Sequence, residues 1–112
     1  MSKGELEVAN FLKENGIRFY YEFYFKEFSI RGRPALFFYD FYIPKYNVCI
    51  EFDGKQHYTR KWKGMKIDCE RSDFLKTAFC LKKGIKLLRI KYTDIDKVGN
   101  KVCDFFDKHF PV

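Results

Sequence analysis

The feature that most constrains this chain is the run Asn47-Val48-Cys49-Ile50-Glu51-Phe52-Asp53, closed by Gly54. It is apolar and too short for a helix that buries a full stripe, so it reads as a strand with cover on both faces. The two-residue period puts Val48, Ile50 and Phe52 on one face and Cys49, Glu51 and Asp53 on the other. Two carboxylates therefore share a face where an ionised group loses its hydration unless it is paired or binds a cation. Upstream, Ala35–Ile43 reads as a second strand, and the Pro44-Lys45-Tyr46 connection makes the pair a hairpin. Asp40 then stands opposite the other two acids. Three carboxylates can converge at one sheet edge, where a hard divalent cation would relieve their repulsion. For any single acid, a salt bridge to a nearby lysine is the competing account.

The remaining elements follow from apolar spacing and from stop signals. A first helix is expected over Lys3–Asn15, burying Val8, Ala9 and Leu12 and ending at Asn15-Gly16. Ile17–Phe25 alternates as a strand, and Arg31-Gly32-Arg33-Pro34 marks a loop. A second helix is expected over Asp68–Lys83, on the spacing of Phe74, Leu75, Ala78, Phe79 and Leu81, with Gly84 as its cap. Lys86–Tyr92 forms the last strand. A final helix is expected to start from Thr93 as cap and to bury Ile95, Val98, Val102 and Phe105 or Phe106. The order α-β-β-β-α-β-α predicts an α/β domain with a mixed central sheet and helices on its faces.

Composition agrees with this plan. Aromatics make up 21% of the 112 residues, with 14 Phe and 8 Tyr, which excludes a disordered chain and fits packed strands. With no linker and no repeat, residues 1–112 read as a single domain. Cys49, Cys69, Cys80 and Cys103 show no zinc-ligand spacing and read as reduced thiols, with Cys49, Cys80 and Cys103 in the core. No apolar stretch approaches membrane-spanning length, so a soluble, intracellular protein is expected.

Charge is unevenly placed. The net +7 is concentrated in residues 54–91, which carry 12 Lys and Arg against 3 Asp and Glu, while residues 1–53 and 92–112 are each at −1. A cationic zone that begins where the acid cluster ends suggests a polyanionic partner gripped next to the candidate chemistry. Within it, Lys55, Gln56, Arg60, Lys61, Trp62, Lys63 and Lys66 are the candidate nucleic-acid contacts, with Trp62 able to stack or wedge. A solvated loop whose Trp packs on the domain is the alternative.

Other residues join the cluster by position. Gly54 permits a sharp turn, and Gln56-His57 then places an imidazole beside the acids as a candidate general acid or base. Asp73 and Lys76, spaced i, i+3, share a helix face. Glu5 has two readings. With Ser2 it forms a capping box, and its helical phase, shared with Val8, Ala9 and Leu12, turns it toward the sheet.

The string C-I-E-F-D-G-K-Q-H, preceded by D-F-Y-I-P and followed by a helix and L-L-R-I, resembles the PD-(D/E)XK nuclease superfamily. More narrowly, it resembles the branch of very-short-patch-repair endonucleases and the related homing endonucleases and restriction-like phage proteins. The resemblance implies a restriction-endonuclease-like core. It also implies that Asp40 and Glu51 hold Mg²⁺ or Mn²⁺, that His57 is the histidine of this branch, and that Glu5, Asp73 and Lys76 belong to the site. Asp53 stands where the E-x-K element has lysine, so Lys76, or alternatively Lys55, has to supply that cation. Asp53 is also a candidate metal ligand through its shared face with Glu51.

The expected function is a metal-dependent DNA endonuclease of homing, restriction or repair type. The alternative is a nuclease-derived module that binds nucleic acid without cutting. Cutting both strands from one site requires a homodimer or larger assembly, or successive nicks. A viral or mobile-element origin is one setting that the resemblance suggests.

Overall fold

The computed structural model describes residues 1–55 and 65–112, with side chains from residue 71 in the second stretch. Helix α1 spans Lys3–Glu14 and is followed by strand β1 (Tyr20–Phe23). Two short strands come next, β2 (Ser29–Ile30) and β3 (Arg33–Pro34), and then the hairpin strands β4 (Tyr39–Ile43) and β5 (Val48–Asp53). Helix α2 (Met65–Lys83) leads to β6 (Lys86–Lys91). A 3₁₀ segment, Tyr92–Lys97, leads into helix α3 (Val98–His109).

The main sheet has the order β1-β4-β5-β6. β1 and β5 both run antiparallel to β4, and β6 runs parallel to β5. The parallel pair needs a crossover, and α2 supplies it. The α/β architecture with a mixed sheet, expected from the element order, is therefore the one observed.

The alternation read in residues 48–53 divides the core into two layers. Val48 and Ile50 face α1 and α3, in a cluster with Val8, Ala9, Leu12, Val98 and Val102. Cys49 faces α2, with Phe79, Cys80 and Ile85. Burying such side chains stabilises each layer by about 1.5–3 kcal/mol per residue, which offsets the cost of ordering the chain.

Local stops work as the residue types predict. Gly16 (φ 67°) ends α1 and lets the Ile17 amide donate back to the Leu12 carbonyl at 2.9 Å. Gly84 (φ 72°) does the same for α2, with the Ile85 amide donating to the Cys80 carbonyl at 2.8 Å.

Several expectations are corrected. The first strand narrows from Ile17–Phe25 to Tyr20–Phe23, and the second from Ala35–Ile43 to Tyr39–Ile43. The Arg31–Pro34 loop is a two-residue turn, with Arg31 and Gly32 both at positive φ, joining β2 to β3. Thr93 does not cap the last helix. The chain first takes a 3₁₀ path, and α3 begins at Val98 after Lys97, which makes no side-chain cap. Cys103 is exposed, while Cys49 and Cys80 are buried. On α2 the buried stripe is Lys76, Phe79 and Cys80, and Phe74, Ala78 and Leu81 face outward. Among the described residues no helix is long and apolar enough to cross a membrane.

Candidate active site

β4 and β5 pair from Ile43–Val48 back to Phe41–Ile50 and then separate. Beyond that point the Asp40 side chain replaces the ladder, accepting the Phe52 amide at 2.8 Å. This splay opens a cleft of about 540 Å³, lined by Glu5, Asp40, Glu51, Gly54 and Lys55 among others.

Helix α1 brings Glu5 to the cleft through an unusually close approach. A Cβ on buried Gly4 would lie 2.1 Å from the Phe52 ring, so only glycine lets the helix start sit against β5. Both readings of Glu5 hold in the same geometry. Ser2 Oγ accepts the Glu5 amide at 3.1 Å, and the Ser2 amide donates to Glu5 Oε1 at 2.8 Å, completing the capping box. The same carboxylate accepts the Tyr21 hydroxyl at 3.0 Å.

The electrostatics follow from this crowding. Burial and the neighbouring Glu51 charge push the Asp40 carboxyl up to about 8, against the opposing effect of the Phe52 amide. Burial also acts to raise Glu5, but hydrogen bonds from the Ser2 backbone, Asp40 and Tyr21 outweigh it and hold Glu5 below its usual value. Asp40 thus keeps a proton that it shares toward an ionised Glu5.

Glu51 is 6% exposed and is met by the Lys76 ammonium from α2. The same ammonium donates to the Phe38 carbonyl at 2.6 Å and sits 4.8 Å from the centre of the Tyr39 ring. Tyr39 in turn donates its hydroxyl to the Lys76 carbonyl at 2.8 Å. Phe38 and the first residue of β4, Tyr39, therefore fix both the backbone and the head group of this lysine.

Asp53 lies elsewhere, 3.4 Å from Arg89, and is not among the residues lining the cleft. Arg89 sits in register with Glu51 on the parallel strand. It also reaches Asp73 at 3.7 Å and donates to the Asp73 carbonyl and to Thr77 Oγ1, each at 3.3 Å. It thereby ties β5 and β6 to the turn of α2 that carries Lys76.

Of the residues read from the sequence, Glu5, Asp40, Glu51 and Lys55 meet in the cleft, and Lys76 reaches it through Glu51. Asp73 and Asp53 gather on Arg89. Gln56, His57, Arg60, Lys61, Trp62 and Lys63 lie outside the described residues, as does the side chain of Lys66. Tyr21 and Tyr39 were missed. Their signal was weak, since tyrosines on alternating aromatic strands are most simply core residues.

Among the described residues no group of three or more His, Cys, Asp or Glu is gathered to hold a metal ion. The donors that do meet, Asp40 and Glu51, are hard oxygens, and burial together with the Glu51 charge keeps Asp40 protonated. That pair fits a Mg²⁺-like ion in kind, because such ions are commonly held by one or two carboxylates with water completing the shell.

No family model matches the chain, and no curated protein matches it in sequence. Among solved structures, the catalytic domain of the homing endonuclease I-Bth0305I is similar over 98% of this chain and 99% of that one. The TM-score is 0.57 and the identity 24%. The two chains share a fold.

Proposed function

We propose that this protein is a divalent-metal-dependent DNA endonuclease. The observation that carries the reading is the meeting of Glu5, Asp40, Glu51 and the Lys76 ammonium where β4 and β5 splay apart. It is supported by the fold shared with a homing endonuclease catalytic domain. Asp40 and Glu51 would hold Mg²⁺ or Mn²⁺, with Asp53 engaged by Arg89. When bound, such an ion polarises a phosphoryl oxygen and makes its water more acidic. Lys76, fixed by Phe38 and Tyr39, offers a positive charge to the transition-state phosphoryl group. Ionised Glu5 accepts the hydrogen bond from the proton that Asp40 keeps until the site is loaded. His57, two residues past Lys55 in sequence, moves the proton between attacking water and leaving oxygen. Lys55 and the cationic segment through Lys66 bind the DNA backbone.

The lysine missing from the E-x-K position counts for a cleavage-dead binding module less than it first suggests. Lys76 brings an ammonium to Glu51 from the helix instead. The test is incubation of plasmid DNA with wild type, Asp40→Ala, Glu51→Ala and His57→Ala in Mg²⁺, Mn²⁺ or EDTA. Nicking or linearisation by wild type alone, and only with metal, is expected. Equal background from all four proteins overturns the proposal.

A further inference from the structure

A second and larger cleft, of about 1020 Å³, has Tyr21 in its lining. Its lining includes Ile17, Phe19 and Tyr20 together with Lys13, Arg18 and Lys45. These cations come from the segment whose net charge is −1, so nothing in the charge profile along the chain marks them. All three are exposed, and no ion pair engages them among the described residues. Tyr20 is 57% exposed, while Phe19 is half-buried with its ring edge-on to Phe41 at 5.4 Å.

The two clefts adjoin at Tyr21. Tyr21 lines the second cleft while its hydroxyl bonds Glu5 in the first, and Met1 lines the second next to Ser2 in the first. Arg18 is three residues before Tyr21, about 10 Å along an extended chain. The second cleft thus forms a track that borders the candidate site at Tyr21.

Its chemistry distinguishes between forms of nucleic acid. A duplex presents phosphates outward and keeps its bases stacked inside, so it can use cations on a rim but has little to offer an aromatic floor. An unpaired strand offers both phosphates and base faces, and grooves that combine cations with aromatic platforms take such strands. Resting on the endonuclease reading, we infer that this track binds an unpaired DNA segment flanking the scissile phosphate, with a base on Tyr20 and phosphates on Arg18, Lys13 and Lys45. The nuclease would then favour junctions where single-stranded DNA meets duplex.

The experiment measures fluorescence anisotropy of a labelled oligothymidine and of a duplex of equal length, both in EDTA. Full-length wild type, Tyr20→Ala, Tyr20→Phe and Arg18→Ala are compared, each checked for an unchanged melting temperature, which the exposure of these side chains leads us to expect. Tyr20→Ala and Arg18→Ala should weaken single-strand binding about 10-fold and duplex binding less than 2-fold, and Tyr20→Phe should bind like wild type. Equal weakening of both ligands, or no weakening of either, overturns the inference. Plasmid cleavage by wild type is scored separately. Absent cleavage with Tyr20-dependent single-strand binding removes the endonuclease reading and leaves the track, and cleavage without that dependence does the reverse.

Discussion

The Lys76 ammonium on α2 closes on the Glu51 carboxylate of β5, and both are nearly excluded from solvent, at 11% and 7% side-chain exposure. Removing one member of such a pair leaves an uncompensated buried charge, which typically costs 3–5 kcal/mol. Lys76→Met should therefore lower stability by about 3 kcal/mol and abolish cleavage, as judged by urea denaturation and plasmid nicking. Adding Glu51→Gln should recover most of the stability but none of the activity. A double variant as unstable as the single one would show that the pair does not act as a unit.

Asp40 makes the metal-free protein sensitive to alkali. Its carboxyl titrates near 3.8 when free and is pushed up to about 8 by burial and by Glu51. Between those values the folded state holds a proton that the unfolded state has lost, so stability falls as pH rises through the window. Asp40→Asn keeps an acceptor for the Phe52 amide and removes the titration. In EDTA it should be more stable than wild type by about 1–3 kcal/mol at pH 9 and little changed at pH 4. Denaturant midpoints at the two pH values check this, and a gain of equal size at both would contradict it.

Gly4 should tolerate no side chain. Helix propensity alone would make Gly4→Ala favourable by about 1 kcal/mol. A Cβ 2.1 Å from the Phe52 ring forces either the ring or the start of α1 to move, and overpacking of this kind costs about 1–3 kcal/mol. The clash should win. Gly4→Ala is expected to melt lower than wild type and to cut more slowly, because Glu5 moves with the helix start. Phe52→Leu in the same chain should restore the melting temperature.

Glu5 combines a cap and a site, and two substitutions separate these roles. Ser2→Ala removes the capping oxygen and should cost about 1 kcal/mol with cleavage retained. Glu5→Gln keeps an acceptor for the Ser2 amide and Tyr21 but loses the charge that shares a proton with Asp40. Its stability should lie within about 0.5 kcal/mol of wild type while cleavage drops at least 10-fold. Full activity in Glu5→Gln would reduce this residue to a cap.

What the sequence determined by itself was whatever repeats with a short period or sits at a chain stop. The alternation over Val48–Asp53 correctly assigned both faces of β5, and Asn15-Gly16 and Gly84 marked where α1 and α2 end. These features depend on local backbone sterics and on which side chains leave water, and neither needs long-range information. Tertiary structure decided the rest. Helical spacing could not say that Phe74 and Leu81 stay exposed at 71% and 83% while Lys76 is buried, because that depends on an acid arriving from another strand. Asp53 and Glu51 share a face, yet one meets Arg89 of β6 and the other lines the cleft against Lys76 of α2, because different cations arrive at the two positions. The cations of the second cleft come from the end of α1, the approach to β1 and the β4–β5 turn. Charge counted along a chain averages over neighbours in sequence, and folding brings together residues that sequence keeps apart.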